Sequence, residues 1–468
     1  MNTNYIIQKF KCYYKKQNFQ EFQPLSLIDE SFPTTYVPSA GEPHLVKLLK
    51  KGEIYERKDF IVNQPCFRSV DINRVGNDFH LSFFEMLGAF SFIPTTILSD
   101  LPASIFFKKE QIKHLSMCFE FLLSVLKIPK ERIWVTVFGG DSILRINKTL
   151  EKDQTTLDFL KQIGIKNVIL KGIPDNYLIR LLKDQGDYTR PESIVLFGDT
   201  THELSPYPDI NAYSGKRIEI FYDRGSKYHC GRKECKPTIC NCQRFVELAT
   251  CAFLDKYVIK KEGKFDLVDS KHFIFYSAYG VERLSMVTEN KPSIYYIDKL
   301  EPIVQLIENY VYNFEESFEL WIRRITDYIR GIVFIIAAGD KPSNRGRGYV
   351  LRRILRRVLL YLKLLGITEP KFFEILVSKI ISIYGVQYPY LKNAYKDIIR
   401  IILDEQECYE KTLQKAINRL RQYIDKRKTE SITFTKNELE KFSNTYGMPK
   451  ELVKWVIDHY RTQNLDKK

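Results

Sequence analysis

The stretch NQPCFRSVDINRVGNDFHLSFFEMLGAFSF, residues 63–92, decides the fold. Short apolar runs flank a polar segment, which predicts two antiparallel strands joined by a loop from Asp71 to Phe79. Arg68 falls on the first strand, Phe84 and Glu85 fall on the second, and a hairpin can bring them to one cavity. An arginine fork suits a phosphate, an aromatic face suits a purine, and a carboxylate accepts from an exocyclic amine. A strand arginine paired with a surface glutamate is the ordinary alternative. His80, at the end of the loop, is placed either to approach a phosphate or to bond local backbone.

Working outward, helical spacing runs from Lys109 to Leu126, with Ile112, Leu115, Cys118, Phe119, Leu122, Val125 and Leu126 on one side. A buried strand is expected at Ile133 to Phe138. Further strands are expected at 194–197, Arg217 to Tyr222 and His272 to Tyr276. Gly280 to Leu284 then leaves a strand and starts a helix, where Arg283 offers a second phosphate clamp or an ordinary ion pair. Beyond about Pro302 the period is helical almost throughout. A mixed sheet followed by helices is an α+β architecture with a second, all-α domain. At 468 residues the chain exceeds one ordinary core.

The segment DKPSNRGRGYVLRRILRR, residues 340–357, joins a Pro/Ser/Asn/Gly turn to a helix and holds six arginines between positions 345 and 357. Apolar residues from Val350 to Leu365 form one stripe. Arg352/Arg356 and Arg353/Arg357 stack as i,i+4 pairs on the other side, an arrangement that costs a few tenths of a kcal/mol per pair unless an anion offsets it. A formal charge of +15 favours nucleic acid or another anionic partner. The longest apolar run, Gly331 to Gly339, is about half of a bilayer crossing. The N-terminus lacks the order of a signal peptide, so a cytoplasmic protein with no membrane partner is expected. Nine cysteines are an odd count, and Cys230, Cys235, Cys240 and Cys242 crowd into thirteen residues beside His229. That pattern reads as N/S ligands for Zn²⁺ or as free thiols rather than a disulfide framework.

These phrases together resemble the N-terminal part of the alanyl-tRNA synthetases, a class II aminoacyl-tRNA synthetase family. The likeness runs from SFPTTYVPSAG at Ser31 through QPCFRS, HLSFFEMLGAFSF, EIFYD at Glu219, RFVEL at Arg244 and YGVERL at Tyr279. It continues through PSNRGRGYVLRRILRR to FSNTYGMPKELVKWVIDH, where the family's catalytic and tRNA-recognition parts normally end. The resemblance implies an antiparallel catalytic sheet over residues 1–290, with a Cys-rich insertion at 225–243, and a helical tRNA-recognition domain over 291–468. It implies ATP, Mg²⁺, alanine and a tRNA acceptor stem as substrates and partners. Arg68 would hold the α-phosphate and Phe84 would stack on adenine. Glu85, His80 and Glu282 would lie near the nucleotide, and Arg283 would hold the distal phosphates. Asn344 matches the residue that reads a G·U pair in the acceptor stem, with Arg345, Arg347, Arg352, Arg353, Arg356 and Arg357 around it. A Cys-rich knuckle in this position occurs in some members. A separate editing protein acting in trans would remove mischarged serine or glycine.

The amino-acid pocket departs from the family. Tyr276 replaces the aspartate that pairs with the substrate ammonium, Ala249 replaces a tryptophan, and Ala278 is small. Glu42 is a replacement carboxylate or a surface loop residue, and Asn444 replaces an aspartate that helps read the G·U pair. A paralogue that binds tRNA or nucleotide without charging alanine, or a ligase for another amino acid, is therefore the alternative.

Overall fold

The computed structural model describes residues 1–30, 32, 35–41, 44–45, 47, 56–98, 101–143, 148–172, 177–178, 210–240, 242–261, 264–312, 314–425, 435 and 453. Glu42, Asn444 and the strand expected at 194–197 lie outside them.

The residues that opened the sequence form β2 (Lys58–Phe67) and β3 (Phe83–Pro94), paired antiparallel with Cys66 opposite Phe84 and Val62 opposite Gly88. Seven more strands complete their sheet. These are β1 (Gln20–Glu21), β4 (Ile133–Phe138), β7 (Asn167–Lys171), β8 (Tyr177–Leu178), β9 (Ile210–Asp223), β10 (Phe245–Lys261) and β11 (Lys264–Gly280). The order is β1-β2-β3-β11-β10-β9-β4-β7, with β8 beside β9; β5 (Asp141–Ile143) and β6 (Lys148–Leu150) pair separately. Only β1/β2 and β4/β7 run parallel among the described pairings. Aromatic and β-branched residues fill β3 and β11 because both faces of the central strands are covered. The exception is the start of β3, where Phe83 and Glu85 are buried while Phe84 and Met86 are half-exposed. That half-exposed face is where the cavity opens.

Behind the sheet lie α1 (Thr3–Lys15), α2 (Ala103–Glu120) and α3 (Gln154–Gln162). Asn2 caps α1 by accepting from the Tyr5 amide, and Ile6, Ile7, Phe10 and Tyr14 face the core. In α2 the expected apolar side is corrected at Ile112, which is exposed, while Gln111 and His114 turn inward. Gln111 donates to the Asp153 carboxylate at 2.9 Å, so a polar contact took the place that spacing assigned to an apolar one.

After β11 come α4 (Val281–Thr288), α5 (Glu301–Glu308), α6 (Glu319–Ala337), α7 (Gly346–Leu364), α8 (Phe372–Tyr384), α9 (Tyr390–Asn393) and α10 (Tyr395–Asp425). The stripe Leu351, Ile354, Leu355, Val358 and Leu359 is buried as its spacing predicts. The helical core also takes in Phe67 and Phe83 from the sheet and Ile72 and Val75 from the loop between β2 and β3. A polar seam reinforces the join. Asp327 of α6 accepts from the Ser82 amide (2.9 Å) and hydroxyl (2.5 Å), and Arg330 donates to the Phe83 carbonyl (2.9 Å) and the Tyr384 hydroxyl (3.0 Å). Among the described residues no helix is long and apolar enough to cross a membrane.

Candidate active site and nucleic-acid interface

A cavity of ≈ 490 Å³ opens on the face of β3, β11, β10 and β9. Gly41 lets the segment from Pro38 form one wall: its φ is +79°, and a Cβ there would sit 1.9 Å from the Phe90 ring. Arg68 enters from the end of β2. Its Nε donates to the Pro38 carbonyl at 2.7 Å and its guanidinium lies 5.0 Å from the Phe84 ring centroid. Arg283 enters from the first turn of α4, donating to the carbonyls of Phe79 (3.3 Å) and Glu247 (3.1 Å) and lying 5.7 Å from the Phe79 ring. Each guanidinium is thus fixed along part of its edge and stands beside an aromatic face. Fixed cations next to planar rings suit a nucleotide, whose phosphates are charged and whose base is flat.

Glu85 does not share this cavity. Strand alternation turns it to the other side, where it is buried with Tyr388 Oη donating at 2.7 Å, Gln387 Nε2 at 2.8 Å and Asn63 Nδ2 at 3.1 Å, and with Lys299 as its counter-charge. Adjacent strand residues cannot face one site, so the expectation that Phe84 and Glu85 do so is corrected. Glu282 lies at the cavity floor. Its carboxylate accepts from the Glu85 amide at 3.1 Å and stands 3.6 Å from Arg330, while burial pushes its pKa up to about 7. Its contacts tie α4 to β3. His80 takes the local of its two expected placements. Its amide donates to Asn77 Oδ1 at 2.8 Å, its ring contacts the same side chain, and the ring is not part of the cavity wall. Burial, with Arg283 and Arg74 nearby, pushes its pKa down to about 3, so it is neutral near pH 7.

Tyr276 does border the cavity, but as the end of an aromatic column. Phe22 stacks on Phe60 (4.6 Å, 10°), Phe60 on Phe90 (5.2 Å, 9°) and Phe90 on Tyr276 (5.2 Å, 20°). Ala278 borders the cavity, opposite Gly88. Ala249 touches its edge, yet pairs with Tyr279 and packs into the core behind the sheet; Thr250, opposite Ala278, is the residue whose register faces the cavity. Sequence reasoning missed the acids Glu219 and Glu247, which line the same space. Period-two alternation along EIFYD, with Arg217 and Glu219 on one face, was the available signal. The Arg217 guanidinium lies 2.9 Å from Glu219.

The arginine helix divides into two groups. Asn344 and Arg345 are exposed on the turn before α7, and Arg353 is exposed on the helix. Gly348 lets that turn fold back across the helix start, since a Cβ would meet the Lys341 carbonyl at 2.4 Å. Arg347 donates to the Phe32 carbonyl at 3.3 Å, and Arg357 reaches the Tyr328 hydroxyl at 3.5 Å. Arg352 and Arg356 are half-buried against Glu405 of α10, at 3.3 and 2.7 Å. For that pair the offsetting anion is inside the fold, which corrects the expectation that all six arginines face a phosphate surface. Arg352 also donates to Asn344 Oδ1.

The Sγ atoms of Cys230, Cys235, Cys240 and Cys242 lie within 4.8 Å of one another, with three separations of 3.2, 3.5 and 3.6 Å. Tetrahedral thiolate coordination of Zn²⁺ needs sulfurs about 3.8 Å apart, so the donor set fits with a small expansion. His229 is not part of it; its Nδ1 accepts from the Gly231 amide at 3.0 Å.

Residues 5–464 match the family model described as tRNA synthetases class II (A). The chain is 29% identical over 463 residues to alanine–tRNA ligase of Clostridioides difficile (strain 630), covering 98% of this chain and 46% of that one. It is 30% identical to alanine–tRNA ligase of Leptospira biflexa, covering 97% and 44%. It thus spans about half the length of the curated relatives it matches. A solved structure of the RNA binding domain of threonyl-tRNA synthetase from Cryptosporidium parvum aligns over 62% of this chain and 64% of that one. The TM-score is 0.34 at 12% identity, too loose a likeness to argue from. With a family match over nearly its whole length, the chain belongs to the class II (A) tRNA synthetases.

Proposed function

We propose that this chain is an alanine–tRNA ligase, which activates alanine with ATP and passes the alanyl group to tRNA. The observation that carries the reading is the pair Arg68 and Arg283, each anchored on the cavity wall beside an aromatic ring. In this reaction the amino-acid carboxylate attacks the α-phosphorus and pyrophosphate leaves. The protein's task is to align the reactants and neutralise charge. Arg68 holds the α-phosphate, Phe84 stacks on the adenine, and Arg283 holds the distal phosphates. Glu219 and Glu247 offer hard oxygen ligands for Mg²⁺, whose chemistry when bound is to neutralise phosphate charge. They also supply negative charge for the substrate ammonium in a pocket whose aspartate position is Tyr276.

In this reading residues 1–290 are the catalytic domain and 291–468 recognise the acceptor stem. Asn344 reads the stem, Arg345 and Arg353 hold phosphates, and Zn²⁺ occupies the four-cysteine knuckle. The work takes place in the cytoplasm. A small apolar pocket separates alanine poorly from glycine or serine, so hydrolytic correction of the mischarged product is part of the same reading. A second reading rests on the column ending at Tyr276: the chain binds tRNA or nucleotide without charging alanine, or charges another amino acid. ATP/pyrophosphate exchange by the purified chain, run with each amino acid in turn, separates them. Exchange that depends on alanine is expected; exchange with another amino acid moves the substrate, and none with any would overturn the ligase reading.

A further inference from the structure

The four-cysteine cluster sits between β9 and β10, and the residue that follows it, Gln243, reaches Asp78, next to Phe79 on the cavity wall. Gln243, next to Cys242, accepts through Oε1 from the Asp78 amide at 2.7 Å. Arg224, at the other side of the insertion, donates from Nη1 to Asp78 Oδ2 (2.9 Å) and to the Gln243 carbonyl (2.9 Å). Its backbone is locked too: the Arg224 amide donates to the Arg244 carbonyl at 2.9 Å, and the guanidinium lies 3.6 Å from the Tyr228 ring centroid. Arg224 is buried, so these contacts hold one geometry rather than a surface average. Asp78 precedes Phe79, whose carbonyl accepts from Arg283 and whose ring stands beside that guanidinium.

We propose that the metal-bound cysteine knuckle is a positioning element for the nucleotide. By fixing Gln243 and Arg224 it clamps Asp78, and through Phe79 it sets where Arg283 meets the distal phosphates. This rests on the reading of the cavity as an ATP site and of the knuckle as a Zn²⁺ site. The metal would add to the packing already there: Cys235 is buried with Phe221 and Phe245, and Trp134, Cys240 and Cys242 pack against them, but Cys230 is exposed and has no place in that cluster. Without the ion, four thiols have no common partner, and Gln243 is held only from its far side, where Arg244 pairs with Asp223 at 2.7 and 2.6 Å.

The test uses the full chain purified without added zinc, with metal content measured first and about one zinc per chain expected. Amide hydrogen exchange at Asp78 and the Kd for Mg·ATP by calorimetry are then compared for wild type, chelator-treated wild type and Gln243→Ala. Gln243→Ala keeps the cysteines, so it separates the brace from a folding defect. The expected result is zinc retained in Gln243→Ala, Asp78 exchange at least tenfold faster, and ATP binding several-fold weaker. Chelation of the wild type should reproduce both changes and add little to the variant. Unchanged Asp78 exchange and ATP affinity in Gln243→Ala, or after chelation, would overturn the brace. If the zinc-loaded wild type binds no ATP while Asp78 exchange still responds to zinc, the ATP reading fails and the brace stands. If no metal is present as purified or after zinc is added, the proposal falls.

Discussion

Arg283 has three jobs in one side chain, because it bonds the Phe79 and Glu247 carbonyls and faces the cavity. Arg283→Ala is predicted to lower the exchange rate about 100-fold, with Arg283→Lys recovering only part, since an ammonium cannot make the same fork. Steady-state exchange with near-unchanged circular dichroism checks this; full activity in Arg283→Ala would remove it from the site. Glu282 gives a pH prediction. Its folded pKa of about 7 lies above the ordinary 4.5, so the fold holds this proton more tightly than the unfolded chain does. The stability it contributes is present below about 4.5 and fades as pH rises through 7, at up to about 1.4 kcal/mol per pH unit. Glu282→Gln should flatten that fall in urea midpoints between pH 6 and 8, and identical slopes would contradict it. Arg68, Phe84 and Arg283 were legible because unbroken phrases carried them. Glu85 was not, because neighbouring residues of a strand face opposite sides however continuous the phrase, and the choice between His80's two placements was not, because Asn77 is an unremarkable neighbour until the loop closes.

Within one element, α7 and the turn before it divide their arginines between two environments. Glu405 is buried and neutralises Arg352 and Arg356, whereas Arg345 and Arg353 are exposed. Glu405→Gln is therefore predicted to destabilise the fold by about 2 kcal/mol, because two half-buried arginines lose their carboxylate. Arg345→Ala and Arg353→Ala should leave stability within about 0.5 kcal/mol. They should instead weaken tRNA binding, each reducing the salt-dependence slope of log Kd by roughly one. Filter binding across a salt series, with urea melts alongside, separates the two groups; the opposite assignment of effects would show that α7 was divided wrongly. The helix and its apolar stripe were plain from spacing. That two of its arginines are internal was not, because their partner lies on α10, 49 residues beyond Arg356.

Across the whole molecule, the sheet and the helices are joined by a shared core: Phe67 and Phe83 belong to the helical cluster and Arg330 is completely buried beside them. Arg330→Ala leaves Asp327 without its cation, and a loss of about 3–5 kcal/mol is expected. Unfolding should stay a single transition by both near-UV and far-UV dichroism; two separated transitions in the wild type would show that the seam is weak. The order of elements, strands first and helices after, was readable from period. The seam was not, because each of its polar residues reads as a surface residue until Ser82, Asp327, Arg330 and Tyr384 meet. Aminoacylation of two alanine tRNA transcripts decides whether the chain joins alanine to tRNA through the acceptor stem, as proposed. One carries the G·U acceptor pair and the other has G·C in its place. Alanyl ester accumulating on the G·U transcript and not on the other is the predicted result; no ester on either, or equal charging of both, would contradict it.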